Sequence, residues 1–79
     1  MPRQVVVYTE SFDCVFCDRV KAFLAERGVP YIERVINVDD GAREELEEIG
    51  YLTTPVVLVD GEAVPGFNLE RLERLLSEA

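Results

Sequence analysis

Residues 9 to 18 read Thr9-Glu10-Ser11-Phe12-Asp13-Cys14-Val15-Phe16-Cys17-Asp18 and hold both cysteines of the chain. The segment before them, Gln4 to Thr9, is short and Val-rich, as a buried strand is. After them, Val15 to Arg27 sets Phe16, Val20, Phe23 and Leu24 on one helical stripe, and Gly28-Val29-Pro30 stops the helix. Two thiols therefore stand where a strand runs into a helix. That joint decides both the fold and the chemistry.

The remaining elements follow by the same rules. Tyr31 to Val38 is β-branched and partly alternating, which predicts a second strand. An acidic helix comes next, with Ala42, Leu46 and Ile49 at helical spacing and its carboxylates on a solvated face. Strand, helix, strand implies a parallel pair joined by a right-handed crossover. Pro55 to Val59 is a third strand, Asp60-Gly61 a two-residue hairpin turn, and Glu62 to Val64 a short fourth strand ended by Pro65. Asn68 caps a last helix in which Leu69, Leu72, Leu75 and Leu76 face inward. The order is βαβαββα, and no linker or repeat interrupts it, so residues 1 to 79 are expected to form a single α/β domain.

Composition narrows the function. Sixteen acidic against eight basic side chains give a net charge of −8, which repels phosphate backbones and argues against nucleic-acid binding. The longest apolar runs, Val5 to Tyr8 and Val56 to Val59, fall far short of the roughly 20 residues that span a bilayer. No signal peptide is evident at Met1-Pro2-Arg3-Gln4, so a reducing, cytoplasmic setting is expected, and there a close cysteine pair is catalytic or metal-binding more often than structural.

A Cys14–Cys17 cross-link closes too small a loop to stabilise the fold much. With two cysteines and no histidine, one chain cannot complete a four-ligand N/S zinc shell. Dithiol exchange fits better, because the spacing puts Cys14 at the helix N-terminus and Cys17 one turn inside it. Backbone N–H groups and the helix dipole favour a thiolate at Cys14, which becomes the nucleophile, while Cys17 resolves the mixed disulfide. Glu10, Asp13 and Asp18 oppose that thiolate, and Arg19 and Lys21 support it. Phe12 and Phe16 offer an apolar rim for a substrate segment, although Phe16 also fits the buried stripe.

With these landmarks in place, the chain resembles the glutaredoxins of the thioredoxin-like fold, and within them the small NrdH-redoxin type. The residues that carry the resemblance are Tyr8-Thr9, Cys14 to Cys17, Lys21, Gly28-Val29-Pro30-Tyr31, Thr53-Thr54-Pro55-Val56-Val57, Gly61 and Gly66-Phe67. The resemblance implies a four-stranded mixed sheet with three helices. It also implies a cis-proline at Pro55 facing the thiols, and a Thr54 backbone that pairs with substrate like an added strand; the alternative is an ordinary proline at the first position of a strand. Substrate contact is further expected at Phe12, Phe16, Gly66 and Phe67, and tuning of the Cys14 thiol by Asp13 and Lys21.

The resemblance implies a monomeric thiol-disulfide oxidoreductase with no bound cofactor beyond its own redox-active disulfide. Glutathione-dependent members carry Gly-Gly and an acidic pair at the last helix, whereas this chain has Gly66-Phe67-Asn68. The Gly-Phe form is similar to NrdH-redoxins, which pass electrons from thioredoxin reductase to ribonucleotide reductase. Two departures stand out: an acidic loop, Glu10-Ser11-Phe12-Asp13, replaces the usual Lys-Pro, and Val15-Phe16 separates the cysteines. The alternatives are a glutathione-dependent glutaredoxin, a dimeric carrier of a metal or iron-sulfur cluster on paired thiolates, and a binding module without redox turnover.

Overall fold

The computed structural model describes residues 4 to 77. In chain order its elements are β1 (Val5–Thr9), α1 (Val15–Glu26), β2 (Ile32–Val35), α2 (Asp40–Ile49), β3 (Val56–Val59), β4 (Glu62–Pro65) and α3 (Leu69–Ser77). The sheet runs β2-β1-β3-β4, with β1 parallel to β2, and with β3 antiparallel to both β1 and β4. This is the expected mixed sheet of four strands with three helices.

Strand alternation divides the core between the two faces of the sheet. Val5 and Val7 of β1 and Val57 and Val59 of β3 point to one side, where Val20 and Leu24 of α1 and Leu72 and Leu76 of α3 cover them. Tyr8 and Val56 point to the other side, against Leu46 of α2, with Val6, Ile49 and Leu58 packed around them. Three layers result: α1 and α3, the sheet, then α2. Leu24, Leu46 and Leu72 are the largest fully buried side chains, so one helix residue per layer contact anchors each helix.

The turns are specified locally. Asp60 (φ 50°) and Gly61 (φ 88°) both occupy the left-handed region that a tight hairpin demands, and Asp60 N–H reaches the Gln4 carbonyl at 2.9 Å. Asp39 accepts from Ala42 N–H at 3.2 Å and Asn68 from Arg71 N–H at 3.1 Å, capping α2 and α3.

Three sequence expectations are corrected. The second strand ends at Val35 rather than Val38, because Val38 and Asp39 N–H groups both turn back to the Val35 carbonyl and start the α2 cap. Phe16, which fits both the α1 stripe and an apolar rim, leaves the stripe and is 54% exposed; Cys17 takes its place beside Val20 and Leu24. Leu69, at the first position of α3, precedes the turn that packs and is 42% exposed.

Candidate functional site

Chain direction places the cysteines. Past the carboxyl end of β1, Glu10 to Asp13 form a loop pinned by Asn37, whose Oδ1 accepts from Ser11 N–H at 2.9 Å and whose Nδ2 donates to Ser11 Oγ at 2.6 Å. Asp13 then adopts a left-handed backbone (φ 37°), which an acidic side chain of this length tolerates better than most, and turns the chain into α1. Cys14 is the N-cap of that helix. Its carbonyl accepts from Asp18 N–H and its Sγ from Cys17 N–H, each at 3.2 Å. Both the helix dipole and this N–H therefore stabilise negative charge at the Cys14 sulfur.

The two sulfurs are joined in a disulfide and differ in access. Cys14 is half-buried at the rim, whereas Cys17 is 1% exposed beneath it. A second segment closes over Cys14 from the loop before β3. The Thr54–Pro55 bond is cis, Pro55 is buried, and Thr54 Oγ1 lies 3.9 Å from Cys14 Sγ. The same hydroxyl donates to Glu10 Oε1 at 3.3 Å. Gly66 (φ 69°) donates its N–H to the Pro55 carbonyl at 2.8 Å, tying the end of β4 to this loop. Among the described residues, the Thr54 backbone N–H and carbonyl make no hydrogen bond.

On either side of Cys14 in the chain, Phe12, Val15 and Phe16 are 71%, 60% and 54% exposed. The Arg19 guanidinium covers one face of Phe16 at 5.6 Å from the ring centroid. Phe67 follows Gly66 and packs edge-on against Phe23, with centroids 6.1 Å apart, at the border of the core.

Lys21 is committed to carboxylates. Its Nζ is 3.0 Å from Glu33 Oε2 and 3.8 Å from Asp18, and the buried Thr9 hydroxyl donates to the same Glu33 oxygen at 2.8 Å. The hydrogen bond to Glu33 raises the Lys21 ammonium above its ordinary range, against a smaller opposing effect of burial. Burial alone would raise Glu33, but the Thr9 and Lys21 hydrogen bonds together with the Lys21 charge hold it below the ordinary carboxylate range. The trio fastens α1 to β1 and β2 under the dithiol.

Sequence reasoning noted Glu10 only as a charge and missed its hydrogen bond with Thr54, 44 residues away. It also missed a cavity of about 320 Å³ next to the site, lined by Glu10, the β2–α2 turn, α2, and Tyr51 and Leu52. No local pattern announces either, since each is assembled from distant segments. Among the described residues, no group of three or more His, Cys, Asp or Glu side chains is disposed to hold a metal ion.

Comparison with known proteins places this geometry. The glutaredoxin family model matches residues 5–64. The glutaredoxin-like protein NrdH of Lactococcus lactis is 33% identical over 73 residues, 90% of this chain and 97% of that protein. Glutaredoxin 3 of Escherichia coli is 33% identical over 63 residues, 78% and 75% of the two chains. Among solved structures, a thioredoxin-like protein superposes with a TM-score of 0.85 at 40% identity, covering 91% of this chain and 99% of that one. The glutaredoxin-like NrdH-redoxin of Escherichia coli, whose activity profile is thioredoxin-like, superposes at 0.81 with 28% identity, covering 91% and 93%. With an N-cap cysteine, a buried partner one turn on and a cis-proline loop across from them, the chain belongs to the glutaredoxin family of thiol-disulfide oxidoreductases.

Proposed function

We propose that this chain is a small dithiol electron carrier that reduces protein disulfides through Cys14 and Cys17 and is recharged by thioredoxin reductase. The observation that carries the reading is the asymmetry of the pair: Cys14 is reachable and caps a helix, while Cys17 is 1% exposed. In the reduced protein, the Cys14 thiolate attacks one sulfur of a client disulfide, and the other client sulfur leaves as a thiolate and takes a proton. Cys17, deprotonated in turn, attacks Cys14 Sγ; the S–S bond to the client breaks, and the second client thiol departs. Two electrons have passed to the client, and the Cys14–Cys17 disulfide remains. The Thr54 backbone, unpaired among the described residues, suits strand-like pairing with the client during both attacks, with Pro55 buried behind it.

Support for the reductant comes from charge and shape. Glutathione presents two carboxylates, and the loop that would meet them carries Glu10 and Asp13, with no ion pair to either among the described residues. Phe67 occupies the turn before α3 with its ring against Phe23. The thioredoxin-like activity profile of the Escherichia coli NrdH-redoxin points the same way, and the resemblance to the NrdH-redoxin type makes ribonucleotide reductase the first client to test. Similarity to glutaredoxin 3 favours the second reading, glutathione as reductant. The cytoplasm is the proposed setting; no helix among the described residues is long and apolar enough to cross a membrane.

The test is reduction of the oxidised protein by NADPH with thioredoxin reductase, run beside glutathione with glutathione reductase. Turnover with thioredoxin reductase is expected. Turnover with glutathione alone overturns the assignment of the reductant.

A further inference from the structure

The cavity beside the dithiol has an apolar wall and one uncompensated charge. Ile36, Tyr51 and Leu52 form the wall, and Leu52 is 77% exposed. Arg43 and Glu47 also line it, but they face each other at 3.5 Å and largely cancel. Glu10 is left. Among the described residues it forms no ion pair, and its one hydrogen bond comes from Thr54, the residue that also contacts Cys14 Sγ. One end of the groove therefore lies at Glu10, one hydrogen bond from the Thr54 hydroxyl that contacts Cys14 Sγ, and its charge at that end is negative.

We propose that this groove selects the client: it takes an extended disulfide-bearing segment with an arginine or lysine close to the cysteine and an apolar side chain beyond it. The assignment rests on the dithiol-exchange reading above. A client strand paired with the Thr54 backbone while its sulfur meets Cys14 carries its flanking residues past Glu10 and toward Leu52. An arginine there meets the Glu10 carboxylate, and its neighbour covers Leu52 and Tyr51. An acidic residue in the same place meets Glu10 without a counter-charge. Electrostatic complementarity of this kind sets which partner reacts more than how tightly any partner binds.

The experiment is single-turnover reduction of synthetic disulfide peptides by the pre-reduced protein, which removes any dependence on the reductase. Three peptides differ only in the residue next to the cysteine: arginine, glutamine or glutamate. At low ionic strength the arginine peptide is expected to react about tenfold faster than the glutamate peptide, the difference expected when one near charge changes sign, and the gap closes in high salt. Glu10→Lys is expected to abolish or invert the order. Glu47→Gln, which releases the Arg43 charge into the groove, is expected to narrow it independently. Because Glu10 also holds the Thr54 hydroxyl beside Cys14, the readout is the ratio between peptides, from which any change in thiolate reactivity cancels. Equal rates for the arginine and glutamate peptides, or an unchanged ratio in Glu10→Lys, overturn the proposal while leaving dithiol exchange intact. If no peptide is reduced at all, the exchange reading itself falls.

Discussion

In the reduced protein, Cys14 and Cys17 should react with an alkylating agent at very different rates. Cys17 is 1% exposed on α1, a helix held by Val20 and Leu24 at 0% exposure, so a reagent reaches it only when the helix opens. A chain of this length has a global stability of roughly 4–12 kcal/mol at the usual value per residue. Even a partial opening at about 3 kcal/mol protects Cys17 by more than a hundredfold. Cys14 needs no opening, and its sulfur gains about 0.3–1 kcal/mol from the helix N-terminus when ionised, before the Cys17 N–H is counted. The two effects compound, so a ratio of at least about a hundred is expected at neutral pH. Timed iodoacetamide labelling, read by peptide mass mapping, measures it, with concentrated guanidinium chloride as the control in which the rates converge. Comparable rates in the folded protein would refute the division into attacker and resolver.

Three further outcomes follow from the packing and the charges. Glu33→Gln is expected to cost about 0.5–1 kcal/mol in urea unfolding at neutral pH, since the Lys21–Glu33 pair is partly exposed. The Glu33 contribution is present above the ordinary carboxylate range and fades as pH falls through its lowered folded value; the Lys21 contribution fades as pH rises through its raised one. A mutant deficit that stays constant from acid to alkali contradicts the pairing. Tyr8, pushed up to about 12 by burial and by its hydrogen bond to Glu45, should ionise well above the ordinary tyrosine range in an ultraviolet titration, and its contribution to stability falls away above about pH 10. Leu24→Ala empties a fully buried site between α1 and the sheet and is expected to cost about 2–5 kcal/mol, a large part of the total, with a matching fall in the denaturant midpoint.

What the sequence discloses and what it conceals divide along a physical line. Features set by adjacent residues read directly: the strand-to-helix joint at Cys14, the Asp60-Gly61 turn, the Asn68 cap. Each depends on backbone preferences that the local residues carry themselves. Helical periodicity gives a stripe without its phase, which is why it leaves Phe16 open between stripe and rim and puts Leu69 inside, while both lie outside. In α1 the phase is set by Cys17, a small side chain whose burial the hydrophobic pattern does not advertise. The second strand ends early because Asp39 captures the backbone for α2, a competition between two legitimate local signals. The contact of Glu10 with Thr54 and the groove beside it arise only when segments from both halves of the chain meet, and no spacing rule foretells them.

The central claim is that Cys14 exchanges disulfides with a protein client and Cys17 completes the transfer. Incubating Cys17→Ser and Cys14→Ser, each reduced, with an oxidised protein substrate such as insulin tests it most directly, with intact mass as the readout. The account predicts a stable mixed disulfide on Cys14 in the first variant, none in the second, and release of reduced substrate by the unmodified protein. A mixed disulfide that forms equally on Cys17, or no adduct and no reduced substrate from any of the three, would contradict it.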